Sequence, residues 1–217
     1  MSKKDSLYKY TRLEFLNSVL HNGIFASSLA HLNDPYECIN TDKTFKVVCL
    51  SRSRNKKLMW SHYANGHRGC SVKISLPDNY GEPTCDLRKV VYSSKLVDKH
   101  AMNEAEIIES LFVKDKKWDY ELEVRAVYNP SNPNINWKTK RGNTFYQAQI
   151  LQVDFGCFSE YDPHYLDALI ALRDYNSNHK KKIKVRKYKM SDRRFEFILD
   201  DKFNYEAEIA RIINGED

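Results

Sequence analysis

The sequence predicts a single α+β domain over residues 1–217, with a mixed, mainly antiparallel sheet flanked by helices. Strand-like and helix-like segments follow one another without strict alternation, which disfavours a doubly wound parallel sheet. A length of 217 residues suits one domain, and no repeat or low-complexity tract interrupts the chain. Hydrophobic residues at 41% and charged residues at 29% are ordinary for a globular protein, so a disordered chain is excluded.

The elements of the first half follow from hydrophobic period and turn residues. Leu13, Leu16 and Leu20 recur at a period near 3.6 and stop before Gly23, which predicts a helix that ends there. Pro35 marks a turn, because it cannot continue a strand ladder. Alternating and β-branched residues predict the strands. The expected elements are helix 11–22, strand 24–26, strand 45–50, helix 58–63, strand 70–76 and strand 88–92.

In the second half, Ile107, Ile108, Leu111 and Phe112 share one helical face, which predicts a helix over 103–118. The loop signal at Asn129 and Pro130 separates two further strands. The expected elements are helix 103–118, strands 121–128 and 149–155, helix 162–173, strands 182–189 and 194–199, and a final helix 205–213.

The composition also predicts a compartment. No apolar run approaches the roughly 20 residues that span a bilayer, and charges interrupt the N-terminal segment, so we expect a cytoplasmic protein without membrane association. Its five cysteines are an odd number without a C-x-x-C pair, which indicates neither a disulfide framework nor a zinc ribbon. Reduced, mostly buried thiols and no metal site are expected.

The net charge of +6 is concentrated near the C-terminus. Such a cluster attracts phosphate, because each neutralised phosphate releases condensed counterions. A solvated strand with its preceding loop also explains the pattern and is the preferred interpretation, while nucleic-acid contact stays open. On the functional interpretation, the nucleic-acid-binding residues are Lys180, Lys181, Lys182, Lys184, Arg186 and Lys187.

Three short segments combine polar and aromatic residues. In the first, Asn33, Asp34 and Glu37 surround a proline turn, where the carboxylates suit a metal or a ribose hydroxyl but also hold turns. In the second, Trp60, His62 and Tyr63 lie on a short helix, after the strand that ends at Ser51. A histidine beside aromatic residues is either a core group or a catalyst.

The third segment is Glu121 to Arg125. On a strand, the period of two places Glu121, Glu123 and Arg125 on one face and Leu122 on the other. If that face lines a cleft, repulsion raises the pKa of one carboxylate while Arg125 keeps the other ionised. The side chains then form a functional site; on an open face they carry no function.

These segments, taken in order, resemble the bacterial and phage domain-of-unknown-function family 2971, and the resemblance runs through nearly the whole chain. The family implies no reaction. The segments that carry the resemblance are Tyr8 to Thr11, Leu32 to Glu37, Cys49 to Ser51, Met59 to Ala64 with Gly69, Trp118 to Arg125, and the late strand Ile150 to Gly156.

The layout is also distantly similar to ADP-ribosyltransferases of toxin and phage-defence or counter-defence systems. Those enzymes carry a His or aromatic residue on an early strand, a Ser on a second strand and a Glu, often Glu-x-Glu, on a late strand. The matching positions are Tyr10 with Thr11, Ser51, and Glu121 with Glu123. Tyr10 departs from the commoner His or Arg, and the Asn-Asp-Pro and Trp-Ser-His-Tyr segments lie outside that pattern.

The resemblance implies NAD as the substrate and assigns roles. Glu123 stabilises the positive charge on the ribose and Glu121 orients the acceptor, with Tyr10 as a third catalytic residue. Trp60 or Tyr63 stacks on nicotinamide. The implied NAD-binding residues are Tyr8, Thr11, Asn33, Asp34, Glu37, Ser51, Trp60, His62, Tyr63 and Arg125. A DNA or RNA acceptor is expected, and a cognate antitoxin or a phage or host protein is an expected partner.

Two other function classes stay open. A non-enzymatic sensor or inhibitor would bind a nucleotide or protein through the Trp60, His62 and Tyr63 surface, because aromatic residues concentrate at such contacts. A Mg²⁺-dependent nuclease would gather the oxygen ligands that Mg²⁺ prefers, with a lysine nearby. Its residues would be Asp34, Glu37, Glu121 and Glu123, with Lys114, Lys116 or Lys117.

Overall fold

A computed structural model describes residues 6–38, 44–82, 85–97, 102–131 and 136–216. The strands in these residues are β1 (Ser6–Thr11), β2 (Ile24–Phe25), β3 (Ser27–Ser28), β4 (Lys46–Ser51), β5 (Cys70–Ser75), β6 (Leu87–Lys89), β7 (Val91–Ser93), β8 (Val113–Asp115), β9 (Glu123–Tyr128), β10 (Trp137–Lys140), β11 (Asn143–Tyr146), β12 (Ile150–Phe155), β13 (Lys184–Met190) and β14 (Phe197–Leu199).

The α-helices are α1 (Leu16–Asn22), α2 (Pro35–Cys38), α3 (Lys57–Tyr63), α4 (Glu104–Ser110), α5 (Tyr165–Asn178) and α6 (Tyr205–Asn214). Short 3-10 helices cover Leu13–Phe15, Leu29–His31, Lys116–Glu121 and Ser159–Tyr161. The predicted α+β class with mixed, mostly antiparallel strands is confirmed. Among the described residues, no helix is both long enough and apolar enough to cross a membrane.

The chain forms two compact units. Unit 1 contains Met1–His21, Arg54–Ser75 and Gln149–Asp217, and unit 2 contains Asn22–Ser53 and Leu76–Ala148. The prediction of one domain stays a prediction. All five cysteines are free thiols, and three of them are buried.

Unit 1 contains the strand order β14-β13-β12-β5-β1. β12 and β13 run parallel and the other neighbours are antiparallel. Phe155 on β12 is fully buried and makes an edge-to-face contact with Tyr165 of α5, at 5.5 Å between ring centroids. The apolar face of this sheet is therefore covered by the longest helix.

Unit 2 is organised around β9, which pairs antiparallel with β4 on one side and β6 on the other. Separate pairings join β10, β11 and β2, and β7 with β8. Leu29, Phe45, Val47 and Leu111 form a buried hydrophobic cluster. The end of α4 is thereby fixed beside β4, and this position matters for the site.

Two predictions near the third motif are wrong. The predicted helix 103–118 ends at Ser110, and the chain continues as β8 and a 3-10 helix. The helix start is confirmed by a capping box between Asn103 and Glu106. The predicted strand 121–128 begins only at Glu123, because Leu122 has a left-handed backbone with φ of 47°. Glu121 is therefore the last residue of a 3-10 helix and not a strand residue.

Other boundaries differ by a few residues. The predicted strand 88–92 is two strands, β6 and β7, and the hairpin of β10 and β11 was not predicted. Leu13–Phe15 is 3-10 before α1 begins, and the helix predicted over 162–173 is Tyr165–Asn178. The strands predicted over 182–189 and 194–199 are Lys184–Met190 and Phe197–Leu199.

Candidate functional site

Unit 2 contains a buried group of charged side chains, which we call the ion cluster: Glu37, Lys114, Glu121, Glu123 and Arg125. None of these side chains is more than 8% exposed. Charged groups at this depth persist only when they are paired, because desolvation of an isolated charge is costly. The cluster thus joins two of the sequence motifs with one lysine from β8.

The Lys114 ammonium lies between the three carboxylates. Its Nζ is 2.6 Å from Glu121 Oε2, 3.3 Å from Glu123 Oε2 and 3.6 Å from Glu37 Oε2. The ammonium also lies 5.0 Å from the centroid of the Trp118 ring, a distance at which a cation is attracted to an aromatic face. Lys114 is therefore the centre of the cluster.

Arg125 supplies the second cation. Its Nε and Nη2 donate to the two carboxylate oxygens of Glu123 at 2.9 and 3.0 Å, a bidentate pair. Its Nη1 donates to Glu37 Oε1 at 2.6 Å and to the backbone oxygen of Leu111 at 2.7 Å. Arg125 has no exposed surface, and its guanidinium is bound by Glu123, Glu37 and the backbone of Leu111.

The cluster sets the ionisation of its members. Burial raises the pKa of Glu123, but Arg125 and Lys114 more than compensate and lower this pKa to about 2. Burial alone would lower the pKa of Lys114, yet Glu123, Glu37 and Glu121 raise it above its ordinary value. Glu123 is therefore a carboxylate at neutral pH. The sequence prediction that Arg125 keeps one carboxylate ionised agrees with this direction.

Local backbone geometry brings these residues together. The side chain of Asp34 accepts a hydrogen bond from the Tyr36 amide at 3.0 Å, which starts α2 and directs Glu37 inward. The left-handed Leu122 breaks the alternation between Glu121 and Glu123. Both carboxylates reach Lys114 as a result, although they are not on one strand.

Ser51 and Glu123 occupy directly opposite positions at the ends of β4 and β9. The Ser51 hydroxyl donates to the backbone oxygen of Glu121 at 2.6 Å and accepts from the amide of Ser53 at 3.0 Å. The amide of Glu123 donates to the Tyr92 hydroxyl at 2.7 Å. Ser51 thus lies next to both acids in the structure, bonded to the backbone of Glu121 and opposite Glu123 across the strand pair.

A cavity of about 330 Å³ opens in unit 2, and Glu37 and Lys114 belong both to its wall and to the ion cluster. Asp34 also lines it, whereas Asn33 is exposed on the preceding bend. Glu121 and Glu123 are not among the lining residues. The two acids therefore do not form the cavity wall, although both contact Lys114, which does.

The remaining predicted NAD-binding residues belong to unit 1. Tyr8, Tyr10 and Thr11 lie on β1, where Tyr10 and Thr11 are buried and Tyr8 is half-buried. Burial raises the pKa of both tyrosines. Tyr10 makes an edge-to-face contact with Trp60, at 5.2 Å between ring centroids. Tyr10 is thus protonated at neutral pH and part of the core of unit 1.

The Trp-Ser-His-Tyr segment forms most of α3 and presents its residues differently. Trp60 is 1% exposed and packs against the rings of Tyr10 and Tyr188. It serves the core, so a stacking role for Trp60 on nicotinamide does not fit this position. His62 is exposed and Tyr63 is partly buried, so these two remain accessible for a ligand.

The basic segment is split between paired and solvated residues. Arg186 makes a bidentate pair with the buried Asp154, at 2.7 and 2.9 Å, and Lys187 lies 2.8 Å from Glu160. Lys180, Lys181, Lys182 and Lys184 are exposed residues, and the Lys182 ammonium donates to the backbone oxygen of Asn176. Three of the six residues predicted to bind nucleic acid therefore have a contact within unit 1.

A metal site is not formed by the motif carboxylates. Across the described ranges, no group of three or more His, Cys, Asp or Glu residues is arranged to hold a metal ion. Glu37, Glu121 and Glu123 instead converge on the Lys114 ammonium. The expected nuclease site thus has a lysine at the place where Mg²⁺ would bind.

Sequence reasoning missed the central position of Lys114 and the contact from Tyr92. The sequence indicates Lys114 only as a lysine near a nuclease site, in a segment predicted as helix, whereas it lies on β8. The one local signal for a strand is that Val113 to Asp115, with two charged residues, directly follow the apolar Leu111 and Phe112. Its partner Glu37 is remote in sequence, so no local pattern identifies the pairing.

Comparison with known proteins adds no relative: no family model, no curated protein and no solved structure matches this chain.

Proposed function

We propose that this protein is an NAD-dependent ADP-ribosyltransferase, with an ADP-ribosyltransferase-like fold and with Glu123 as its catalytic carboxylate. The observation that carries the proposal is the cross-strand pair of Ser51 and Glu123, with Glu121 bonded to the Ser51 hydroxyl. The resemblance implies a serine on one strand and a catalytic glutamate on a later one; here Glu123 opens β9, while Glu121 precedes the strand. The resemblance to family 2971 is compatible with this activity but assigns none.

The charge of the ion cluster supports this chemistry. Three carboxylates face two cations, Lys114 and Arg125, so the fully ionised cluster carries one excess negative charge. Cleavage of the bond between ribose and nicotinamide develops positive charge on the sugar, as in glycoside hydrolysis. A preorganised negative site stabilises that charge in the transition state.

NAD, when bound, supplies the ribose and the nicotinamide leaving group. Glu123 accepts a hydrogen bond from the ribose 2′-hydroxyl and stabilises the adjacent positive charge. Within the cluster, the contact of Glu123 with Lys114 at 3.3 Å is longer than its contacts with Arg125 at 2.9 and 3.0 Å. The ribose hydroxyl therefore replaces the contact with Lys114. Arg125 keeps Glu123 ionised, and Glu121 orients the acceptor.

The acceptor is proposed to be DNA or RNA. Lys180, Lys181 and Lys184 are exposed on and beside the start of β13, next to Lys182, whose ammonium donates to the backbone oxygen of Asn176. A polyanion is attracted to such a group by counterion release. A toxin or phage-defence or counter-defence setting, with a cognate antitoxin or a phage or host protein as partner, follows from the resemblance and belongs to the same proposal.

The test is incubation of the full chain with NAD labelled in its adenosine half, together with DNA, RNA and protein mixtures. Nicotinamide release and label on nucleic acid are expected for the wild type. In Glu123→Gln the rate of both is expected to fall at least about a hundredfold, because the loss of one electrostatic contact to the transition state typically has an effect of that size. Glu82→Gln, an exposed acid of unit 2, is the matched control.

Folding of each variant is verified by circular dichroism, because Glu123 is buried. Glu121→Gln is the second variant: it is expected to reduce transfer more than nicotinamide release, since its role is to orient the acceptor. Absence of label and of free nicotinamide, with the wild type equal to Glu123→Gln, contradicts the proposal.

A second candidate is a non-enzymatic nucleotide-binding module. It is favoured by one observation: Glu123 is 3% exposed and both of its oxygens are already engaged by Arg125. Such a cluster stabilises the fold around a ligand site without entering a reaction. Binding of a nucleotide by calorimetry, with no product after hours of incubation, would select this function.

A further inference from the structure

The cavity of unit 2 has the size of a small-molecule site. Its volume of about 330 Å³ lies at the lower end of the range of roughly 300–1,000 Å³ for ligand pockets. A space of this size admits one nucleotide-sized molecule and excludes a folded partner. The class of ligand then depends on the chemistry of its floor, walls and rim.

The floor is polar and almost fully buried. Asp34, Glu37 and Lys114 are 2%, 6% and 4% exposed. The carboxylates of Asp34 and Glu37 accept hydrogen bonds from N–H groups, whereas the Lys114 ammonium already donates to Glu121 and Glu123. A nucleobase edge offers N–H donors within one plane, so it suits this floor better than a plain hydrocarbon does.

The walls are apolar and include one accessible ring. Leu111 and Val113 line one side, and Tyr36 contributes a side chain that is 56% exposed. A flat aromatic ligand gains contact area against such a ring at small entropic cost. The walls therefore select a planar group, in agreement with the floor.

The rim carries positive charge. Lys95 and Lys117 both line the cavity and are exposed. Unlike Lys114, neither ammonium forms an ion pair with any residue that the structure describes. Ser94, also exposed, lines the cavity and contributes a further hydroxyl group. Two solvated lysines at the mouth of a pocket suit a phosphate group.

We propose that this cavity is a binding site for a nucleoside monophosphate, with the base on the floor formed by Asp34, Glu37 and Lys114 and the phosphate at Lys95 and Lys117. The inference goes beyond the proposed function, because binding here requires no transfer reaction. It also adds Lys95 to the candidate residues and gives Tyr36 and Lys117 a new role as ligand contacts.

The test is isothermal titration calorimetry of the full chain with adenosine, guanosine, cytidine and uridine monophosphates as probes. Adenosine, ribose 5-phosphate and inorganic phosphate serve as partial ligands. At least one nucleoside monophosphate is expected to bind, and each partial ligand to bind at least about tenfold more weakly, because one charged or stacking contact is worth about that factor.

Two variants at exposed positions test the location without disturbing the fold. Lys117→Ala is expected to weaken binding about tenfold by removing a charge-assisted contact, and Ser94→Trp to abolish binding by filling the mouth. Lys138→Ala, an exposed lysine on β10 outside the cavity, is the matched control and is expected to bind as the wild type does.

Three results overturn the inference: no probe binds, the affinity is unchanged in both Lys117→Ala and Ser94→Trp, or ribose 5-phosphate or phosphate binds as tightly as every nucleotide. Nicotinamide release from NAD is measured on the same preparations. Binding of a mononucleotide without release of nicotinamide supports this inference and contradicts the proposed function. Release of nicotinamide without binding of any mononucleotide supports the proposed function and contradicts this inference.

Discussion

Replacement of Lys114 by methionine is the most informative perturbation of the ion cluster. The ammonium has three carboxylates within 3.6 Å, and all of these side chains are at most 8% exposed. Methionine retains much of the volume, but it removes the ion pair of Glu121 and leaves Glu37 and Glu123 with Arg125 as their remaining cation in the cluster. Loss of one partner of a buried pair costs about 3–5 kcal/mol, and three orphaned contacts place Lys114→Met at the upper end of that range.

The assay is equilibrium unfolding in urea at pH 7, followed by circular dichroism. With a slope of about 2 kcal/mol per molar urea, the expected loss moves the unfolding midpoint down by about 2 M. Lys138→Met, an exposed lysine of unit 2, is expected to change the free energy of unfolding by less than about 0.5 kcal/mol.

The deficit of Lys114→Met should narrow at pH 4, because Lys114 contributes to the low pKa of Glu123 and its loss lets that carboxylate take up a proton more readily. A loss below about 1 kcal/mol at pH 7, or a loss that is the same at both pH values, would refute the assignment of Lys114 as the centre of the cluster.

Three further outcomes are expected. The folded-state pKa of Glu123, about 2, lies below its ordinary value of 4.5, so its stabilisation is present above pH 4.5 and is lost as the pH falls towards 2. The difference in unfolding free energy between the wild type and Glu123→Gln should shrink by about 3 kcal/mol over that interval, as measured by denaturation at each pH; a pH-independent difference would contradict this ionisation. Ser51→Ala removes a buried donor to a 2.6 Å hydrogen bond and should lower the unfolding free energy by about 1–3 kcal/mol, whereas a neutral effect in thermal unfolding would show that the bond is unimportant. Arg186→Ala removes the bidentate cation from buried Asp154 and should cost about 3 kcal/mol, the lower end of the cost of breaking a buried pair, because Gln152 still donates to Asp154. Lys184→Ala should leave stability unchanged and weaken DNA or RNA binding in a salt-dependent way; equal stability of the two variants would be inconsistent with the structure.

Much of the fold could be predicted because local pattern and tertiary structure agree. The β-branched run before Ser51 is β4, and the alternation from Cys70 is β5. The hairpin of β10 and β11 was missed because Trp137 to Lys140 is mostly polar and solvated, so it lacks the hydrophobic face that identifies a strand. The helix predicted over 103–118 is too long because Leu111 and Phe112 continue the helical period of apolar residues, although α4 ends at Ser110.

The site was predictable in its membership but not in its geometry. Glu121, Glu123 and Arg125 do lie together, yet the strand argument fails at Leu122, whose left-handed backbone no residue type announces. Lys114 is buried only because three acids surround it, and one of these comes from the distant α2. Burial of a charge is a tertiary property, so propensity and spacing do not reveal it.

The central claim is that Glu123 contacts the ribose from which nicotinamide departs. A crystal structure of the full chain soaked with NAD tests it most directly. The account predicts density for the nicotinamide ribose with its 2′-hydroxyl within hydrogen-bonding distance of Glu123, and with Lys114 displaced from that carboxylate. NAD bound elsewhere, while Glu123 keeps both its Arg125 and Lys114 contacts, would contradict the account.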